Sequence, residues 1–277
     1  MKKSTFLFLI LFSFNSFSQI IVDKNSPNDN PTFLIDNVLL GGGIVASNYS
    51  YEGDSMQIGF FNAVNTSLSI DSGIVMATGD IDNLMSGIIS FTNPANIVTD
   101  PDLLNVANSV PPLIGQTFVV SSINDVAKLE FDFIPTSDTV KFRYVFGSQE
   151  YYAFENTQYN DVFGFFLSGP GIAGPYANGA VNLAIVPNSN PPLPITISSV
   201  CNDPPDIMNP QYFVDNSYIN FNTPTDIDTI ADADGLTTVF TAVAVVQCGQ
   251  TYHIRLAIAD GSDQGLSSYV WLEAGSF

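Results

Sequence analysis

Apolar and polar residues alternate most strictly over residues 127–133, where Leu129, Phe131 and Phe133 fall on one face and Lys128, Glu130 and Asp132 on the other. A period of two marks a half-buried β-strand. After a turn at residues 135–138 the pattern resumes with Val140, Phe142, Tyr144 and Phe146 inward and Lys141 and Arg143 outward. The two runs predict an antiparallel hairpin that sets basic residues against acids across the strands. Residues 162–167 are apolar on both faces, as a central strand of a sandwich requires. Shorter runs at 44–51, 57–61, 73–77, 182–186, 195–200, 237–246, 250–259 and 269–273 are punctuated by Gly, Asp, Asn and Pro. Helical spacing is confined to a segment capped by Thr32 and ended by Gly41-Gly42-Gly43, and to one turn near Leu103. Frequent short strands with so little helix predict an all-β fold, an antiparallel β-sandwich of jelly-roll type with one short N-terminal helix.

The first eighteen residues follow another logic. Lys2 and Lys3 precede an apolar run from Phe6 to Phe14, and the small residues Ser16 and Ser18 flank Phe17. This is the layout of a signal peptide cleaved before Gln19. The run is too short to span a bilayer comfortably, which takes about 20 residues. The expected organisation is a signal peptide over 1–18, a loose polar leader over 19–31, and a single β domain over 32–277. The exported chain is therefore expected at the outer cell surface or outside the cell, with no transmembrane segment in its mature form.

Charge narrows the partners. The net charge is −20, and becomes −22 once Lys2 and Lys3 leave with the leader. Such a field repels phosphate backbones and excludes nucleic acid as a natural ligand, while it attracts divalent cations. Cys201 and Cys248 are the two cysteines of a chain bound for an oxidising compartment, and are expected to form one disulfide.

The candidate chemistry is thin. The single histidine, His253, sits on the strand face of Arg255, Ala257 and Ala259, with no G-x-S-x-G elbow to make it part of a triad. Zinc lacks its nitrogen and sulfur ligands. Glu150 and Glu155 lie among Tyr151, Tyr152, Phe154 and Tyr159, a combination that also suits a carbohydrate-binding site or a carboxylate-pair glycoside hydrolase. Calcium is the better-supported chemistry: Glu150, Asn160 and Asp161 are close in sequence, and Asp260 and Asp263 end the strand that carries His253. On one rim of a sandwich they would supply the hard oxygen ligands that calcium takes. Neither Asp80 and Asp82 nor the group Asp226, Asp228, Asp232 and Asp234 makes an EF-hand loop.

Four strings carry a family likeness: Gly147-Ser148-Gln149-Glu150-Tyr151, the run from Asn160 to Gly171, the run from Tyr252 to Asp260, and Leu272 to Phe277. Together, in this order, they resemble the choice-of-anchor L domain of bacterial surface proteins, particularly those of Bacteroidetes. The resemblance spans about residues 32–277. It implies an extracellular domain of varied anchoring, often partnered with a type IX secretion signal, and a role in surface display or adhesion without enzymatic activity. Gln149 stands where the family often has a second glutamate, one fewer oxygen ligand for a cation. With the resemblance running to Phe277, no C-terminal anchor is expected within these residues. The sequence thus points to a non-catalytic extracellular binding module, its protein or glycan ligand unnamed, with a carbohydrate-binding or glycan-active domain as the alternative.

Overall fold

The computed structural model describes residues 20–41, 44–64, 66, 68–85, 94, 98–216 and 233–277. The expected leader over 1–18 lies outside them, as do Asp226, Asp228 and Asp232. Two antiparallel sheets face each other. The first has the order β1 (Ile21–Asp23), β3 (Ile58–Asn62), β4 (Ser72–Ala77), β15 (Ser268–Glu273), β6 (Thr139–Ser148), β12 (Gly235–Thr237) and β11 (Phe213–Asp215), with β13 (Phe240–Val245) also paired to β6. The second has the order β2 (Val45–Glu52), β5 (Ile123–Ile134), β14 (Tyr252–Gly261), β7 (Val162–Ser168) and β8 (Val181–Asn182). A separate ribbon pairs β9 (Cys201–Asp203) with β10 (Asp206–Met208). Both large sheets are open, and their packing makes a β-sandwich.

The expected hairpin of β5 with β6 does not form. β5 pairs with β2 and β14 in one sheet, and β6 with β12, β13 and β15 in the other. Lys128 therefore meets Glu52 of β2, at 3.0 Å, and Arg143 meets Glu273 of β15. The physical reason is the bulk of the two aromatic faces. Phe131 and Phe133 on β5, and Phe142, Tyr144 and Phe146 on β6, bury more completely across the gap between sheets than side by side on one surface. The chain also changes sheet between β6 and β7, between β13 and β14, and between β14 and β15.

Alternation within each strand sorts the rest of the core. Phe163, Phe165 and Leu167 of β7 and Ile254, Leu256 and Ile258 of β14 point between the sheets, against Val270 and Leu272 of β15 and Met76 of β4. The opposite face of β7 and β14, with Val162, Phe166, Ala257 and Ala259, is covered by helix α2 (Pro101–Leu113) through Leu103, Val106 and Ala107. The outer face of the first sheet carries Val75, Val145, Tyr269 and Trp271, which cluster with Val22 of β1 and with Leu68, Ile70, Ile81 and Leu84 of nearby loops and turns.

Helix α2 is longer than the one turn expected. Asp100 caps it by accepting from the amides of Asp102 and Leu103, Pro101 fills the first turn, and Leu103, Val106, Ala107 and Val110 form its apolar stripe. Near the N-terminus, where a helix capped by Thr32 was expected, Asn30 is the cap. A single α-turn, α1 (Pro31–Leu34), passes into a π-helical turn over Ile35–Leu39.

The expected disulfide is absent. Cys201 is buried in β9, with its thiol 3.2 Å from the carbonyl of Asp206, whereas Cys248 is exposed on the turn between β13 and β14. The ribbon holds one thiol inside and the turn holds the other in solvent. Among the described residues no helix is long and apolar enough to cross a membrane.

Candidate functional site

The inward rows of five strands end together at one end of the sandwich, and there they change from apolar to polar or acidic. On β7 the row Leu167, Phe165, Phe163 leads back to Asp161, and on β14 the row Ile254, Leu256, Ile258 leads on to Asp260. The register pairs Ala259 with Val162, so Asp260 and Asp161 follow on adjacent strands. On the facing sheet, Tyr144 and Phe146 of β6 lead to Ser148, Val270 of β15 leads back to Ser268, and Met76 of β4 leads to Thr78. β6 and β15 are in register at Ser148 and Ser268. The apolar interior is thus closed by a rung of hydroxyls on one sheet and carboxyls on the other.

Hydrogen bonds fix the rung. The Ser268 hydroxyl donates to Asp161 Oδ2 at 2.6 Å, and the Gly261 amide donates to Asp161 Oδ1 at 2.9 Å. The Ser268 amide donates to Thr78 Oγ1 at 3.0 Å, and Thr78 in turn bonds Asp260. Gln149 accepts from the Ser267 amide at 2.7 Å and so holds the start of β15, while the Ser148 hydroxyl accepts from the amide of Glu150 at 2.9 Å. Gly261 is required by close approach. A Cβ there would stand 2.8 Å from the backbone nitrogen and oxygen of Asn160 and would force β14 away from Asp161.

Glu150 comes in from the turn after β6, and its carboxyl and that of Asp260 lie near enough to Asp161 for the three to influence one another's titration. Asp161 is fully buried, and Glu150 and Asp260 are each 1% exposed. Three oxygens are buried without a hydrogen-bond partner: Glu150 Oε2, Asp260 Oδ1 and Asp263 Oδ1. Burial drives the carboxyls of Glu150 and Asp260 well above the ordinary carboxylate range, and the charge of Asp161 adds to both shifts. Burial pushes Asp161 up to about 7, against the lowering effect of its bonds to Ser268 and Gly261. Burial also raises Asp263, and it raises Asp125, which bonds Gln264 at 2.8 Å beside the cluster. Among the described residues, no lysine, arginine or histidine forms an ion pair with any of these acids.

Four of the five residues expected from the sequence, Glu150, Asp161, Asp260 and Asp263, are therefore in one place. Asn160 is not part of the group. Its amide is turned toward α2, donating to the Ala107 carbonyl at 3.4 Å and accepting from the Ser198 amide at 3.3 Å. Ser148, Ser268 and Thr78 were missed, because the sequence pattern does not say which strand ends face each other. Among the described residues no group of three acidic, histidine or cysteine side chains stands in ready coordination geometry.

The other candidates are dispersed. Glu155 accepts from the Tyr152 amide at 2.8 Å, and burial together with Asp203 and Asp206 keeps its carboxyl raised, close to Cys201 and near enough to Glu150 to raise that carboxyl as well. The aromatics around it pack on one another: Tyr151 and Tyr152 against Phe213, and Phe154 against Tyr159. They form a wall of the core, not an open platform for a sugar ring. Asp80 and Asp82 are held by Lys24. His253 is half-buried between two acids of β5, with Nδ1 2.8 Å from Asp132 and Nε2 3.2 Å from Glu130. Beside it a pocket of about 40 Å³, lined by Glu130, Phe166, Ser168 and Arg255, has room for a few water molecules.

Comparison with curated proteins and with solved structures gives no match. One family model does match, that of the choice-of-anchor L domain, over residues 22–277. The matched span includes both sheets, α2 and every residue of the acidic rung, and it suggests an extracellular or surface location. The chain belongs to the choice-of-anchor L domain family.

Proposed function

We propose that this domain is a non-catalytic extracellular module that holds a macromolecular partner, a protein or a glycan, at the outer surface of the cell. The observation that carries this reading is the family match across residues 22–277. Two features favour binding over turnover. The Glu155 carboxyl is tied to the Tyr152 amide, and the aromatics near it are packed against each other. Export by the N-terminal leader and retention through a type IX route, as in Bacteroidetes, complete the proposal.

A first surface to probe lies at the opposite end of the sandwich from the acids. Val45 pairs with Ile134, and Val245 pairs with Thr139, so exposed apolar side chains flank the turn at residues 135–138 from both sheets. Val243 and Val245 are 50% and 77% exposed. The test is capture of extracellular proteins, glycans and whole cells on the immobilised mature domain, beside the double variant Val243→Asp and Val245→Asp. Capture that the variant loses by tenfold or more supports a binding role at this end. Turnover of a glycan substrate, abolished by Glu150→Gln, would replace the proposal with a catalytic one. No capture and no turnover across these panels would overturn it.

A further inference from the structure

The edges of the two sheets are not alike. An open edge presents unpaired N–H and C=O groups, and proteins ordinarily blunt it with short strands, charges, bulges or proline. β1, β8 and β11 are two or three residues long, with Asp23 in β1 and Asp215 in β11. β2 is longer, but its register shifts between Ser47 and Ser50, Asn48 takes a φ of 55°, and Glu52 ends it. β13 has none of these devices. Its six residues, Phe240–Val245, hold neither charge nor proline, and they pair with β6 in unbroken register. Phe240, Ala242 and Ala244 are buried, whereas Thr241, Val243 and Val245 are exposed. Among the described residues no strand pairs with the other edge of β13.

Hydrogen bonds show which groups that edge offers. The Arg143 amide donates to Ser276 Oγ, just beyond β15 and away from β13, whereas the Phe146 amide donates to Thr237 Oγ1 of β12. Odd-numbered residues of β6 thus turn their backbone groups away from β13. In an antiparallel ladder two opposed residues either exchange both bonds or both turn away. Thr241 lies opposite Arg143, Val243 opposite Lys141 and Val245 opposite Thr139. The N–H and C=O groups of Thr241, Val243 and Val245 therefore face outward. Charge supplies a second, independent observation. Lys24, Lys128, Arg143 and Arg255 each hold an acid, but Lys141 has no ion pair among the described residues. It is exposed on β6 beside Val243, in a chain of net charge −20.

We propose that β13 receives an extended segment of a partner protein as an added strand, with an acidic side chain of that segment passing over Val243 to meet Lys141. The inference rests on the binding role proposed above and narrows its partner to a peptide strand. Main-chain bonds to Thr241, Val243 and Val245 supply affinity, and the valines with Lys141 select apolar residues flanking an acid. A glycan cannot continue the backbone ladder. A second copy of β13 brings no acid to Lys141, and its approach sets two strongly acidic domains side by side.

The experiment selects binders from a displayed library of random peptides of about ten residues on the immobilised mature chain, then measures the best peptide in solution by fluorescence anisotropy. Selected peptides should alternate apolar and polar positions, with an acid between apolar residues. Lys141→Glu should weaken the best of them about tenfold. Val243→Pro should weaken it at least as much, because proline removes an outward N–H that β6 does not use, while its melting temperature stays close to that of the wild type. If Val243→Pro does not fold, two peptides N-methylated on opposite sets of alternate amides replace it, and one should lose binding while the other keeps it. Capture lost in the Val243→Asp, Val245→Asp double variant but kept in Val243→Pro would overturn strand addition and leave the binding role standing. So would capture of glycans with no peptide selected. A concentration-dependent dimer that Val243→Pro dissociates would put a second copy at this edge and overturn the acidic peptide. No peptide and no capture of any kind would remove both readings.

Discussion

Replacing Arg255 by methionine tests how the outer helix is fastened to the sheet. Arg255, on β14, reaches under α2, with Nε 3.2 Å from Asp100 Oδ2 and Nη2 2.5 Å from Asp102 Oδ2, and its guanidinium lies 4.4 Å from the centre of the Phe166 ring. The Asp100 side chain is 1% exposed and that of Arg255 14%. Methionine keeps the stem and its contact with Phe166 but leaves two enclosed carboxylates without their cation. Breaking one side of a buried pair costs about 3–5 kcal/mol. With Arg255 slightly exposed, the lower end applies, about 3 kcal/mol, or roughly 6–12 °C in melting temperature for a chain of this size. The deficit should depend on pH with a definite sign. Burial already raises the Asp100 carboxyl above its ordinary value, and Arg255 opposes that rise. A carboxyl whose folded pKa is raised loses stability as pH rises through that value, so removing Arg255 should hurt most at pH 7–8 and less toward pH 5. Asp100→Asn in the methionine background should restore part of the loss, because asparagine still caps α2 and needs no cation. Urea unfolding of the two single variants and the double variant at pH 5 and pH 8 measures all of this. A loss below about 1 kcal/mol, or one independent of pH, would refute the reasoning.

Other expectations rest on single local arrangements. His253 is raised above its ordinary pKa by its bond to Glu130 first, against burial, and then by Asp132. Lys128 and Arg255 lie near Glu130, and Ser168 of β7 is paired opposite His253. The protonated ring therefore stabilises the fold fully below about pH 6.5, and that contribution fades as pH rises through the raised value. His253→Gln should lose most stability relative to wild type in acid, and a gap that widens toward pH 8 would contradict this. Burial pushes the Cys201 thiol up to about 12, whereas Cys248 is exposed. Maleimide should label one thiol in the native protein and two in denaturant, and an unlabelled chain lighter by two hydrogens would show a disulfide after all. Gln57 is fully buried, with Nε2 donating to the carbonyls of Ala77, Thr78 and Asp125 and Oε1 accepting from the Asp54 amide. Gln57→Leu should cost about 3 kcal/mol by leaving these groups unpaired, and a change under about 1 kcal/mol in urea unfolding would count against that account.

Strands were legible in the sequence where burial is one-sided or complete, because those two cases leave distinct patterns. The alternation of β5 and β6 and the unbroken apolar run of β7 correspond to strands at those places. Strand partners were not legible. Alternation tells a residue which way to face and is silent on its neighbour, so β5 and β6 looked like a hairpin when they are opposite walls of the core. Helix α2 was underestimated for another reason. Pro111 and Pro112 interrupt the helical pattern in the sequence, but they fall in its last turn, after Leu103, Val106, Ala107 and Val110 have completed the apolar stripe.

The acidic rung shows the same division more sharply. Asp161 and Asp260 were identifiable as strand-end acids, but their consequence depends on parity: each lies two residues beyond an inward-facing aromatic or aliphatic residue, Phe163 or Ile258. A strand end displaced by one position would have sent either carboxylate to the α2 side, where Val162 and Ala259 now sit. Period-two geometry therefore turns ordinary turn acids into buried ones, and the register of β14 on β7 turns two buried acids into neighbours. Ser148, Ser268 and Thr78 arrive from the facing sheet by the same parity: Ser268 bonds Asp161, Thr78 bonds Asp260, and Ser148 accepts from the Glu150 amide.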